Sequence, residues 1–161
     1  MTQKEILMGP TCSGIDLTYI QGVLSAGGGE YLDVITVHPY RSGPPESVSN
    51  DFKNLRNLIS SFNLTLPIFS GEWGYPTCKD PCVPGGFSGM NEDIQAKYLA
   101  RQWMINAMNG IGISIWYDFK DDGTNETMRE ETFGTVGYQY FNSTLPQCNG
   151  CHSLAVLMCF Q

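Results

Sequence analysis

The amino-acid sequence predicts an α/β fold built on a parallel β-sheet. Short apolar stretches alternate four times with amphipathic helical patterns, and polar and aromatic residues gather directly after each apolar stretch. This alternation is typical of βα units, in which helices cover a parallel sheet. Because functional sites in such folds form at the carboxyl ends of the strands, we expect the functional site of this chain at that edge.

Each predicted element has a local signal. Strands are short runs of β-branched and apolar residues, and helices carry apolar residues spaced by threes and fours. Asp16 is the expected N-cap of the first helix. Four apolar residues of the last helix share a face, namely Ile94, Tyr98, Ile105 and Met108. The predicted elements are a strand at 6–9, a helix from 16 to 26, a strand at 32–37, a helix from 46 to 62, a strand at 66–70, a helix from 94 to 108 and a strand at 111–117.

Composition argues against several kinds of partner. The formal net charge is −7, whereas a nucleic-acid partner favours a clustered basic face. The longest apolar run, residues 154–160, is far shorter than the ~20 residues that a membrane-spanning helix needs. We therefore expect no nucleic acid, membrane or cofactor as a partner, and the sequence does not indicate an oligomeric state.

Cysteines and glycosylation motifs favour the secretory pathway. The chain has six cysteines and three Asn-x-Ser/Thr sequons, which begin at Asn63, Asn125 and Asn142. An even number of cysteines together with several sequons is typical of a secreted protein. No signal peptide is recognisable at residues 1–5, so we expect the natural N-terminus to lie upstream of Met1.

The cysteine spacing leaves a metal interpretation open. Cys148 and Cys151 have the spacing of a redox or zinc pair. A tetrahedral zinc site would need two more ligands, such as Cys78 and Cys82, or His152. We favour disulfides or structural thiols and predict no metal site, although the pairing of the cysteines does not follow from the sequence.

Four motifs follow the predicted strands in order: Val37-His38-Pro39-Tyr40-Arg41, Ser70-Gly71-Glu72-Trp73-Gly74-Tyr75, Ile115-Trp116-Tyr117-Asp118 with Asp121-Asp122-Gly123, and Glu130 ahead of Phe133-Gly134-Thr135-Val136. Together they resemble strands six, seven and eight of clan A glycoside hydrolases, the cellulase-like group of families 5 and 39. The resemblance covers about residues 5–140. It implies that residues 1–145 form the C-terminal half of a (β/α)8 TIM barrel, with strands five to eight in four βα units. Residues 146–161 would then be a divergent, cysteine-containing tail.

The resemblance implies a retaining glycosidase with Glu72 as the catalytic nucleophile. Such enzymes need two carboxyl groups ~5–5.5 Å apart, one that attacks the anomeric carbon and one that acts as acid and then as base. Glu72 follows an apolar strand and Gly71, a position that can hold a nucleophile rigidly. Tyr40 corresponds to a tyrosine that orients the nucleophile. His38 corresponds to a polar residue of the same site, although a lone histidine after a strand is often structural.

Five further residues are expected to bind the substrate, namely Trp116, Trp73, Tyr75, Asp118 and Asp122. By the resemblance, Trp116 forms a floor under the sugar, whose apolar face packs well on an indole ring. A tryptophan of the hydrophobic core is the other interpretation. The aspartates either bind sugar hydroxyls or a cation, or cap turns. Arg41 is expected to be an ion-pair partner near the rim.

The chain departs from the family at the second carboxyl group. The family's acid/base is the Glu of an Asn-Glu pair after strand four, and the two such pairs in this chain, Asn91-Glu92 and Asn125-Glu126, follow other strands. We therefore expect the acid/base upstream of this chain and little activity from the chain alone. The predicted function is a fragment of a secreted retaining glycoside hydrolase that cleaves a glycan. The alternatives are a non-catalytic carbohydrate-binding or interaction protein derived from a half-barrel, and a redox or metal module.

Overall fold

The computed structural model of the chain describes residues 5–79, 82, 89–134 and 156–159. Its helices and strands are, in chain order, α1 (Leu17–Ser25), β1 (Ile35–Val37), α2 (Ser49–Ser61), β2 (Ile68–Trp73), α3 (Glu92–Met108), β3 (Ile113–Trp116) and β4 (Val156–Cys159). The alternation of helices and strands confirms the predicted α/β class. None of the helices in the described part of the chain combines the length and hydropathy that crossing a bilayer requires.

The strands form one sheet in the order β1-β2-β3-β4. β1 pairs with β2, and β2 with β3, in parallel, as the alternation with helices predicts. The stretch predicted as a further parallel strand, 6–9, makes an isolated parallel bridge from Met8 to Val34. Because Leu7 and Met8 are each 54% exposed, this stretch lies at the edge of the sheet and buries little. The structure is compatible with a partial barrel, but the four predicted βα units are not confirmed.

β4 comes from the stretch predicted as a tail. It pairs antiparallel with β3, and Trp116 lies opposite Val156. Sequence pattern does not predict this strand, because a short apolar run fits a strand or a helix segment equally well. Residues 135–155 and 160–161, which include most of the predicted tail, lie outside the described residues.

α1 and α2 form as their patterns predict. The carboxylate of Asp16 caps α1 by accepting a hydrogen bond from the amide of Tyr19 at 2.9 Å, which satisfies one of the free amides of the first turn. In α2 the apolar residues spaced by threes and fours, Phe52, Leu55 and Ile59, are buried. They pack with residues of β1 and β2 in one core cluster.

α3 differs from its prediction. Its buried residues are Gln95, Gln102, Ile105 and Asn106. Of the four apolar residues predicted to share a face, Ile105 is buried, whereas Met108 is 82% exposed and Ile94 is exposed as well. The buried amides donate hydrogen bonds to the segments that α3 covers, as Gln102 does to a carbonyl of β2 at 3.0 Å. Buried polar groups are stable when they are hydrogen-bonded, so hydrophobic spacing alone misplaces this face.

The two faces of the sheet have different surroundings. Nδ2 of Asn106 donates to Oγ of Ser114 at 2.7 Å, so Ser114 on β3 faces α3. Successive side chains of a strand point to opposite faces, and Trp116 therefore faces α3 as well. Ser70 on β2 lies beside Ser114 and shares this side, which we call the helix face. Thr36 of β1 pairs with Phe69, the residue before Ser70, and therefore belongs to the opposite side, the cavity face.

Candidate active site

Glu72 reaches the cavity face through an irregularity in β2. Ser70 pairs with Ser114 and Trp73 with Trp116, so β2 takes three residue steps where β3 takes two. An additional residue of this kind is a β-bulge, which re-aims the side chains that follow it. Without it, alternation from Ser70 would turn Glu72 toward the helices and Trp73 toward the cavity. With it, Glu72 lines the cavity and Trp73 is buried.

Tyr40 and His38 approach Glu72 from the segment that follows β1. Oη of Tyr40 donates a hydrogen bond of 2.6 Å to Oε1 of Glu72. Nδ1 of His38 lies 3.7 Å from Oε2 of Glu72, which is beyond hydrogen-bond distance and leaves an electrostatic contact. The two carboxylate oxygens therefore have different partners. The side chain of Glu72 is 35% exposed, so a solute in the cavity can reach it.

Burial favours the neutral form of the His38 imidazole. Its side chain is 22% exposed, and burial holds the pKa of His38 below its usual value, although the negative charge of Glu72 raises it part of the way back. The backbone at this point is held by the amide of Gly14, which donates to the carbonyl of His38 at 2.6 Å.

Gly71 makes room for this arrangement. A Cβ atom at this position would collide with Oγ1 of Thr36 and would lie 3.5 Å from Nε2 of His38. The missing side chain of Gly71 therefore allows β1 and β2 to approach each other, with the His38 ring beside Glu72.

Glu72, Tyr40 and His38 line a cavity of about 280 Å³. The other described residues that line it are Ser13, Tyr117, Arg129 and Phe133, none of which was predicted as a site residue from the sequence. Tyr117 and Phe133 lie inside the motifs of the resemblance, and that neighbourhood is the signal that could have found them. Ser13 and Arg129 lie outside every motif, and the fold alone brings them to the cavity.

Aromatic contacts join the walls of the cavity. The ring of Phe133 lies edge-to-face against Tyr40 and Tyr117, with centroids 5.7 Å and 5.5 Å apart. Aromatic rings attract each other at these distances. Tyr117 donates its hydroxyl to the carboxylate of Asp122. Burial, together with this acidic neighbour, raises the pKa of Tyr117 well above its usual range, so its hydroxyl stays protonated.

Three aromatic residues predicted to bind substrate do not line the cavity. Trp73, Tyr75 and Trp116 are each 0% exposed. Tyr75 packs on both tryptophans, with centroids 5.9 Å and 6.2 Å apart. They lie on the helix face, because the bulge turns Trp73 to that side and Trp116 alternates in phase with Ser114. The alternative interpretation of Trp116, as a residue of the hydrophobic core, agrees with its buried position.

The two aspartates predicted as substrate ligands lie in the turn after β3. Asp118 is 1% exposed and accepts a hydrogen bond from the amide of Phe119. Asp122 is exposed and accepts one from Tyr117. Neither aspartate is among the described residues that line the cavity. The contact of Asp118 with the amide that follows it is of the turn-capping kind, whereas that of Asp122 joins two side chains.

Cys78 and Cys82 form a disulfide, with Cα atoms 5.4 Å apart. The form of the zinc alternative that takes these two cysteines as ligands is wrong, because metals bind thiolates and not the sulfurs of a disulfide. Cys148, Cys151 and His152 lie outside the described residues. Within the described ranges, no group of three or more His, Cys, Asp or Glu side chains is placed to hold a metal ion.

Known proteins offer a partial structural likeness. No protein-family model and no curated protein matches the chain. It is similar to a β-glucuronidase from Ruminococcus gnavus in complex with D-glucuronic acid, with 17% identity over 71% of this chain and a TM-score of 0.39. It is also similar to a β-D-glucuronidase from Dictyoglomus thermophilum, with 21% identity over 73% of this chain and a TM-score of 0.40. The chain spans 23% of the length of each, and likeness at this level assigns it no activity.

Proposed function

We propose that this chain carries the nucleophile of a retaining glycoside hydrolase and that Glu72 is that nucleophile. The observation that carries the proposal is the 2.6 Å hydrogen bond from Tyr40 to Glu72 at the wall of a cavity. A nucleophilic carboxylate has to be ionised, reachable and held in one orientation. The hydroxyl donor stabilises the charged carboxylate, the cavity makes it reachable, and β2 holds its backbone. The cavity volume of about 280 Å³ is close to the lower end of the ~300–1,000 Å³ typical of small-molecule sites.

In the proposed reaction Oε2 of Glu72 attacks the anomeric carbon while the glycosidic bond breaks. The bonding electrons leave with the aglycone oxygen, which takes up a proton. A water molecule then attacks the same carbon and gives up a proton, which restores the group that protonated the aglycone. Glu72 departs as a carboxylate, and the sugar is released with its original configuration. We assign the attack to Oε2 because Oε1 is occupied by the hydroxyl of Tyr40.

The leaving oxygen needs a proton from a second carboxyl group, ~5–5.5 Å from the first in retaining enzymes. Among the described residues that line the cavity, Glu72 is the one carboxylate, so these walls do not supply the acid. We therefore expect slow turnover of ordinary glycosides. A glycoside whose leaving group departs without protonation should still react with Glu72.

Covalent trapping tests the nucleophile on the chain as it is. In 2,4-dinitrophenyl 2-deoxy-2-fluoro glycosides the leaving group needs no proton, and the fluorine slows release of the sugar from the carboxylate. We expect the chain to gain the mass of one fluoroglycosyl unit, and a protease digest to place that unit on Glu72. A panel of gluco, galacto, manno and xylo reagents would also identify the sugar that the cavity accepts.

Glu72→Gln keeps the shape of the side chain and removes its charge, so labelling should be lost. Glu30→Gln is the matched control, because Glu30 is exposed and does not line the cavity; it should label like the unmodified chain. A label on another residue, or full labelling of Glu72→Gln, would show that Glu72 is not the nucleophile.

A purely carbohydrate-binding role has no observation in its favour. That alternative uses Trp73 and Trp116 as platforms for sugar rings, and both are buried on the helix face. The cavity is distinguished by a hydrogen bond from a tyrosine hydroxyl to a reachable carboxylate. This contact suits a chemical reaction better than it suits the stacking of sugar rings.

We also propose that the protein is secreted and N-glycosylated. Asn63 and Asn125 are exposed, Asn142 lies outside the described residues, and the Cys78–Cys82 disulfide suits an oxidising compartment. After expression in eukaryotic secretory cells the chain should lose mass on treatment with an N-glycosidase. Replacing each asparagine by glutamine in turn identifies the modified sites. A mass that the enzyme does not change would count against this localisation.

A further inference from the structure

Phe133 supports the residue that holds Glu72. Its side chain is 5% exposed, and its ring contacts Tyr40 edge-to-face, with centroids 5.7 Å apart and an angle of 72° between the planes. Tyr40 in turn donates to Oε1 of Glu72. The Tyr40 ring therefore lies between Phe133 and the carboxylate of Glu72. Phe133 itself has no part in the proposed reaction.

The backbone around Phe133 is held from two directions. The carbonyl of Thr132 accepts a hydrogen bond of 2.8 Å from the amide of Thr77, in the segment after β2. The carbonyl of Phe133 accepts one of 3.0 Å from the amide of Asp118, in the segment after β3. A ring carried by a backbone that is bonded to both segments has a defined position, so it can act as a fixed support.

Tyr40 follows β1 in a segment without regular secondary structure, and its ring packs against other aromatic rings. Its aromatic neighbours include His38, at 6.5 Å between centroids, and Phe133, at 5.7 Å. Phe133 is the closer of the two. A tilt of the Tyr40 ring would carry Oη away from Glu72, since the hydroxyl lies at the far end of the ring.

We propose that Phe133 is a positioning residue: by fixing the ring of Tyr40 it keeps Oη on Oε1 of Glu72 and leaves Oε2 for the reaction. The inference rests on the proposed function in taking Glu72 as the reacting group. An edge-to-face aromatic pair contributes beyond the area that it buries and restricts the tilt of both rings. Phe133 differs in this from Phe52, which is 0% exposed and belongs to the core under α2.

A double-mutant cycle separates positioning from simple packing. Phe133→Leu should slow the covalent labelling of Glu72 by roughly threefold to tenfold. In a Tyr40→Phe background it should have no further effect, because the hydroxyl that Phe133 positions is gone. If the two effects multiply instead, Phe133 does not act through Tyr40 and the inference is wrong. Phe52→Leu, the matched loss of a buried ring, should leave the labelling rate unchanged.

A structural measurement tests the inference separately from the proposed function. In crystals of Phe133→Leu the distance from Tyr40 Oη to Glu72 Oε1 should exceed ~3.5 Å, against 2.6 Å in the parent chain. Phe133→Met keeps the bulk without the ring and serves if the leucine variant does not fold. An unchanged distance in the variant that folds would overturn the inference. If the parent chain is never labelled, the proposed function fails, and this distance still decides the role of Phe133.

Discussion

Two aromatic clusters lie at the same end of the sheet, on opposite faces. The cavity cluster consists of His38, Tyr40, Tyr117 and Phe133, and it lines a cavity. The helix cluster consists of Trp73, Tyr75 and Trp116, each 0% exposed. The clusters interleave in the sequence, since Trp116 precedes Tyr117 directly. A position at the carboxyl end of a strand therefore does not make an aromatic residue part of a site; the face of the sheet decides.

The hydrogen bonds of the two clusters differ in the same way. In the helix cluster the hydroxyl of Tyr75 donates to the carbonyl of Gly43 at 3.1 Å, and the indole of Trp116 donates to the carbonyl of Asp118 at 3.1 Å. These bonds satisfy buried donors with backbone groups. In the cavity cluster the hydroxyl of Tyr40 donates to a carboxylate instead, a group that can take part in chemistry.

Arg41 contacts a residue of the helix cluster. Its guanidinium lies 5.4 Å from the centroid of the Trp73 ring and forms an ion pair with Asp51 at 3.0 Å. The prediction that Arg41 is an ion-pair partner is confirmed, and the stacking on Trp73 adds a second reason for its place.

The largest effect should come from removing a ring of the helix cluster. Trp116→Ala should lower the free energy of unfolding by about 3–5 kcal/mol, because a buried ring is lost and a cavity is left. Urea denaturation measures this change. Phe119→Ala is the control; Phe119 is 38% exposed and should cost about 1 kcal/mol or less. A stable Trp116→Ala variant that no longer labels would place Trp116 in the site.

The same substitution in both clusters gives the sharpest contrast. Tyr40→Phe removes a hydrogen bond to a charged group, worth about 1.5–3 kcal/mol, so labelling should slow roughly 10- to 150-fold. Tyr75→Phe removes a bond to a carbonyl and should lower the free energy of unfolding by about 0.5–1.5 kcal/mol without changing labelling. Labelling kinetics and urea denaturation of both variants test the pair. Equal labelling by the two variants would remove the distinction between the clusters.

The smallest effect concerns the pH dependence of His38. The pKa of His38 in the folded chain is below the ordinary value of 6.5 because the ring is partly buried, so the unfolded chain takes up this proton more readily. The free energy of unfolding should therefore fall as the pH drops below 6.5, and His38→Gln should weaken that dependence.

The chain has two histidines, so an NMR titration shows two imidazole signals, and His38→Gln assigns them. The titration and urea denaturation between about pH 5 and pH 8 check the prediction. A measured pKa of His38 at or above 6.5 would contradict it.

Much of the fold follows from local sequence signals. Asp16 caps α1, the spacing of Phe52 and Leu55 buries one side of α2, and alternating elements predict the parallel pairing of β1, β2 and β3. The closeness of Tyr40 and Glu72 also follows, because residues after adjacent parallel strands share an edge. The amide-rich buried face of α3 could not be predicted, since its stability depends on hydrogen bonds to segments far away in the sequence.

By itself, the sequence determined the order and type of the main elements and the edge at which polar residues gather, because these depend on neighbours within about one helical turn. Only the tertiary structure decided which residues at that edge face the cavity. One additional residue between Ser70 and Trp73 shifts the register of β2 and exchanges the directions of Glu72 and Trp73. Side chains alternate with a period of two, so a shift of one residue reverses every assignment beyond it. The pairing of β2 with a neighbouring strand sets that shift, and the local sequence of β2 alone does not predict it.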